Sequence, residues 1–89
     1  MKLKYQFVVQ KVSGKAVAVA VGRDSQKFNG MIKLNESGEL IFRLLTGGNL
    51  TQQQLLEQFA QHYETTVESI QADVLEFVEL LRQNDLLSE

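Results

Sequence analysis

The stretch LNESGELIFRLLTGG, residues 34–48, is where the chain changes from one periodicity to another. Asn35 stands where a helix begins, and its short polar side chain can accept one of the unsatisfied N–H groups of the first turn. Glu36 and Glu39 place negative charge in that turn, which the helix dipole favours. Leu40, Ile41, Leu44 and Leu45 recur at helical spacing, with Phe42 beside them. Gly47-Gly48 then stops the helix, since glycine accepts the left-handed conformation without penalty. The segment holds no nucleophile beside a base and no metal-ligand spacing. A phosphate-loop reading of the glycine pair finds little support, because no strand leads into it and no lysine and hydroxyl follow at the required spacing.

Upstream of this stretch the period is near two. In YQFVVQKV, Tyr5, Phe7 and Val9 alternate with Gln6, Val8 and Gln10, as along a half-buried strand. Ser13-Gly14 marks a tight turn. KAVAVAVG follows, with Val17, Val19 and Val21 on one face and only alanine on the other, so a hairpin is predicted. After a second turn at GRDSQ, the run KFNGMIKL predicts a third strand. Phe28, Gly30, Ile32 and Leu34 share one of its faces, and Met31 and Lys33 share the other. Gly30 inside that run points to a bulge or a close backbone approach.

Downstream the period is 3.6. A second helix is predicted from Thr51, with Leu55, Leu56, Phe59, Ala60 and Tyr63 on one face. A third starts at Thr65 or Thr66, where Thr65 and Glu68 have capping-box spacing, and runs to about Gln83. Its stripe is Val67, Ile70, Val74, Phe77, Val78 and Leu81, with Leu75 off one side and Leu80 off the other. That arc is wider than one neighbouring helix needs. Either it packs against both the sheet and another helix, or part of it lines a groove. Strands precede helices, so the fold class is α+β: a three-stranded antiparallel sheet followed by three helices, winged helix-turn-helix-like.

The chain has 89 residues, which fits one domain over 1–89. Such a length supports one core but not a core plus a deep catalytic cavity. Apolar residues make up 44% and charged residues 22%, ordinary globular usage that argues against disorder. There is no cysteine and no proline, which excludes disulfides and thiolate metal sites. No signal-peptide pattern and no membrane-length apolar run is present, so the protein is expected in the cytoplasm, with no membrane partner.

Enzymatic chemistry finds little support. General acid–base catalysis needs a titratable group held against a reacting atom, and one histidine, His62, offers no triad. A lone histidine on a helix surface is ordinarily solvated. No cofactor or metal site is expected. A winged-helix nucleic-acid-binding or regulatory domain is the alternative, but the reading helix would carry Glu68, Asp73, Glu76 and Glu79 against Arg82 alone. Phosphates would be repelled rather than neutralised. A peptide-binding module fits better. The third strand is a candidate sheet edge, whose unpaired N–H and C=O groups accept an added strand. Helix three beside it would supply apolar contacts, and its acidic margin suits a peptide carrying Lys or Arg.

The segments LNESGELIFRLL, LTQQQLLEQFAQHYETT and VESIQADVLEFVELLRQNDLL together resemble the PqqD family, named for coenzyme PQQ synthesis protein D. The resemblance covers roughly residues 17–87. It rests on Leu34, Asn35 and Gly38 at the first helix, Tyr63 closing the second, Ala72-Asp73-Val74 within the third, and the terminal Leu86-Leu87. The sequence departs from the family where Phe42 replaces a frequent tryptophan and Asp85 a frequent glycine. Phe42 keeps an aromatic ring there, and Asn84-Asp85 tolerates the left-handed turn. The resemblance implies a recognition element for ribosomally made, post-translationally modified peptides, including PQQ-type biosynthesis. Such a domain binds the leader of a precursor peptide as an added strand and presents it to a modifying enzyme, often a radical S-adenosylmethionine enzyme. It places the peptide between the third strand and the third helix. The expected contacts are Phe28, Asn29, Gly30, Met31, Ile32 and Lys33 for the backbone, and Asp73, Val74, Phe77 and Leu81 for side chains.

Overall fold

A computed structural model describes residues 1–27 and 30–89. The strands are β1 (Lys2–Leu3), β2 (Phe7–Val12), β3 (Lys15–Ala20), β4 (Met31–Leu34) and β5 (Leu87–Ser88). The helices are α1 (Glu36–Thr46), α2 (Gln52–His62) and α3 (Val67–Gln83), with one 3-10 turn at Gly22–Ser25. The main sheet is antiparallel in the order β2-β3-β4, and β1 pairs with β5 in a separate two-stranded ribbon. The fold class is as expected from the sequence. The ribbon is new, and the third strand is shorter than the KFNGMIKL run.

Ser13 (φ 54°) and Gly14 (φ 80°) are both left-handed, the signature of a two-residue type I′ turn. The turn sets Val12 opposite Lys15 and, from there, Gln10 opposite Val17 and Val8 opposite Val19. In the adjoining pair, Ala18 faces Ile32 and Val19 faces Met31.

The alanine face of β3 turns inward. Ala16, Ala18 and Ala20 are buried, and with Phe7 and Leu34 they meet Ile41, Phe42 and Leu45 of α1. Small side chains at the centre of the sheet let the helix come close, so that Ile41 and Phe42 are fully buried. The Phe42 ring packs edge-to-face on Phe7, with centroids 5.5 Å apart. The opposite face carries Val8, Val12, Val17, Val19 and Met31. Val8, Val12 and Met31 on it are exposed.

Local helix signals are realised in two of three cases. The Asn35 side chain accepts from the Gly38 N–H at 2.8 Å. Thr51 and Gln54 form a reciprocal capping box. The box anticipated at Thr65 and Glu68 does not form: Thr66 is the N-cap, it makes no side-chain cap bond, and Thr65 shares a hydrogen bond with Ser69 instead. Gly47 keeps right-handed angles, and the chain turns away at Gly48 (φ 148°). Asp85 takes φ 59° after α3, and its carboxylate pairs with Lys4 at 2.6 Å. This ties the α3–β5 turn to the start of the chain.

Candidate functional site

The edge of β4 follows from the hairpin. In a two-residue hairpin the closing pair, Val12 and Lys15, exchanges hydrogen bonds, and the pattern alternates along the ladder. Lys15, Val17 and Val19 therefore direct their backbone groups to β2. The Val21 N–H bonded to the Gln6 carbonyl at 2.9 Å continues the same alternation. Ala16 and Ala18 then bond to β4, through Leu34 and Ile32. The N–H and C=O groups of Met31 and Lys33 point the other way. Among the described residues no strand pairs with that side of β4.

The helix packed on β4 is α1, and Phe77 of α3 reaches the first turn of that helix. Gly38 follows β4 by four residues, and a Cβ built on it would lie 2.9 Å from the Phe77 ring. Phe77 also stacks edge-on against Phe42, with centroids 6.2 Å apart. The glycine is thus explained by close approach: any larger side chain would push the Phe77 ring away from the start of α1. Phe77 remains half-buried and packs against the core without being sealed in it.

At about 100° per residue, Asp73 and Leu80 lie within roughly 60° of Phe77 around α3. Both are exposed, Leu80 by 50%. Asp73 makes no hydrogen bond or ion pair with any described residue, so its carboxylate is open to solvent. Val74 and Leu81 are exposed by only 0% and 3%. They belong to the core and present no surface to a peptide, because the centre of the apolar arc faces inward. Ile32 is half-buried against the same core, while Gly30, Met31 and Lys33 are exposed. Phe28 and Asn29 lie outside the described residues. Leu80 was not among the expected contacts. Its signal was its place on the Phe77 flank rather than on the main stripe.

A cleft of about 690 Å³ opens at the C-terminal end of β4, where Met31, Lys33, Lys15, Val12, Glu36 and Tyr63 contribute to its walls. Partial burial, and then the Glu36 carboxylate, raise the Tyr63 phenol above its ordinary value. The cleft contains no buried charged group. Among the described residues no three His, Asp or Glu side chains come together to hold a metal, and no helix is long and apolar enough to cross a membrane. The arrangement offers backbone donors and acceptors, a ring and charged rims, which suits binding.

The family model for coenzyme PQQ synthesis protein D (PqqD) matches residues 15–87. Among curated proteins, none matches the chain significantly. Among solved structures, the chain is similar to one described as "TbiB1 in Complex with the TbiA(beta) Leader Peptide". The TM-score is 0.69 at 18% sequence identity, covering 99% of this chain and 95% of that one.

Proposed function

The chain belongs to the PqqD family, and from that premise we propose that it binds the leader segment of a ribosomally made precursor peptide by strand addition along β4. It then presents the peptide to a modifying enzyme, which we take to be of the radical S-adenosylmethionine class. We read residues 1–89 as one such domain, a peptide chaperone of the cytoplasm that performs no chemistry of its own.

The observation that carries the reading is the coincidence of two features. Met31 and Lys33 direct unpaired backbone groups outward, and Phe77, Leu80 and Asp73 stand exposed or half-exposed on the flank of α3 whose Phe77 packs on Gly38, four residues beyond β4. An added strand satisfies the backbone groups, and its inward-facing side chains meet the ring. The leader bound to the structurally similar TbiB1 supports this reading. The exposed carboxylates of Glu68, Asp73, Glu76 and Glu79 on α3 do not suit a nucleic-acid backbone.

The test is a titration of the isotope-labelled domain with the leader half of any short precursor reading frame found beside its gene. Amide shifts at Met31, Lys33 and Phe77 are expected. Shifts confined to α2 and the Ser13-Gly14 turn would place the peptide elsewhere. Tight duplex DNA binding at low salt would overturn the reading altogether.

A further inference from the structure

The sheet face turned away from the helices raises a question of its own. It is apolar at Val8, Val12, Val17, Val19 and Met31, and the register puts two lysines on it, Lys15 and Lys33. No acidic residue shares this face of the three strands. Five of the chain's other cations are engaged: Lys4 with Asp85, Lys11 and Arg43 with Glu39, Lys27 with Asp24, and Arg82 with Glu79 and Glu89. Lys15 and Lys33 make no ion pair or hydrogen bond with any described residue. Lys33 also sits at an outward-bonding position of β4, so a strand added there sets one of its residues directly opposite.

We propose that Lys33, supported by Lys15, selects leaders that carry a carboxylate on the valine side of the added strand. This inference rests on the strand-addition reading and names the chemistry of the peptide it accepts. Residues directly opposite in an antiparallel pair hold their Cβ atoms about 4.5–5.5 Å apart, close enough for opposite charges to attract. Side chains two places apart share a face. The peptide residue opposite Lys33 is therefore Asp or Glu. The one two places away, opposite Met31, is apolar, and the residue between them turns inward toward Ile32 and Phe77 and is apolar as well. A second copy of this chain is a poorer occupant. Two-fold pairing of β4 with itself would bring the Lys33 side chains of both copies onto one face, and like charges facing each other are destabilising.

The experiment pans a phage-displayed library of random 12-residue peptides against the whole chain and, separately, against Lys33→Glu. Lys33 is exposed, so the variant is expected to melt as the parent does; Lys33→Gln serves if it does not. On the parent, Asp or Glu should be enriched two residues from a large apolar side chain. On Lys33→Glu, Lys or Arg should take that position. Lys33→Gln should weaken a peptide selected on the parent by about two- to five-fold in Kd. If selected peptides shift the Met31 and Lys33 amides but show no acidic preference, or the same preference on both proteins, the inference falls and strand addition stands. If no selected peptide shifts those amides, or the domain pairs with itself through β4, strand addition of a leader falls with it.

Discussion

The Phe77 ring lies where a side chain on Gly38 would have to be: a Cβ at residue 38 would come within 2.9 Å of the ring. Real Cβ atoms do not approach that closely, so Gly38→Ala must move Phe77. Overpacking of this kind costs about 1–3 kcal/mol, and the better helix propensity of alanine returns up to about 1 kcal/mol. A net loss of about 1 kcal/mol is expected in thermal unfolding, together with a displaced Phe77 ring signal and weaker leader binding. A rise in melting temperature would mean that the ring yields freely and that the close approach constrains nothing.

Phe42 is fully buried between Phe7 and Phe77. Phe42→Ala removes both ring contacts and leaves a cavity beneath α1. The expected destabilisation is about 3–5 kcal/mol, read from denaturant unfolding. Leu80→Ala, at an exposed position of α3, should change stability by less than about 0.5 kcal/mol while weakening the peptide complex.

Proline substitutions separate the two sides of β4. At Met31 the lost N–H points outward, so the ladder to β3 keeps its bonds and the fold should persist, as edge strands allow. At Ile32 the lost N–H bonds to β3, and its carbonyl partner is left unsatisfied at a cost of about 1–3 kcal/mol. Met31→Pro should therefore abolish leader binding with little loss of stability, and Ile32→Pro should lower the melting temperature clearly. A lower melting temperature for Met31→Pro than for Ile32→Pro would show that the hydrogen-bond alternation runs the other way.

Glu39 sets an acid dependence. The Arg43 guanidinium, hydrogen-bonded to its carboxylate, holds Glu39 below its ordinary value, and Lys11 adds to this. A carboxylate with a depressed folded value contributes stability above its unfolded value, near 4.5. That contribution is lost as pH falls through the lower folded value, because the unfolded chain then binds the proton first. Glu89 behaves in the same way against Arg82. Stability should decline below about pH 4.5, and Glu39→Gln should flatten part of that decline without altering the plateau at higher pH in the same proportion. An unchanged acid limb in the variant would remove Glu39 from the account.

Much of the fold is legible in the residues themselves. The change from period two to period 3.6 at Asn35, the Thr51–Gln54 cap and the Ser13-Gly14 turn are local patterns. Their hydrogen bonds form between residues no more than four apart, so the sequence contains all the partners. The candidate strand and helix of the site could be named for the same reason. Periodicity also states which residues share a face, and Val74, Phe77 and Leu81 do share one. It does not state where the covering elements end, and that boundary separates the sealed Val74 and Leu81 from the half-open Phe77. Which face of β3 turns inward was likewise settled by α1, whose bulky Ile41 and Phe42 fit over alanines rather than valines. The β1–β5 ribbon joins residues more than eighty positions apart, a pairing that no local pattern encodes. The outward direction of the Met31 and Lys33 backbone needed both scales. The turn chemistry of Ser13 and Gly14 is local, but it reaches β4 only through the pairing of β3 with both neighbours. Hydrogen-bond direction alternates along a ladder, so one turn at the tip of the hairpin determines which edge groups remain free two strands away.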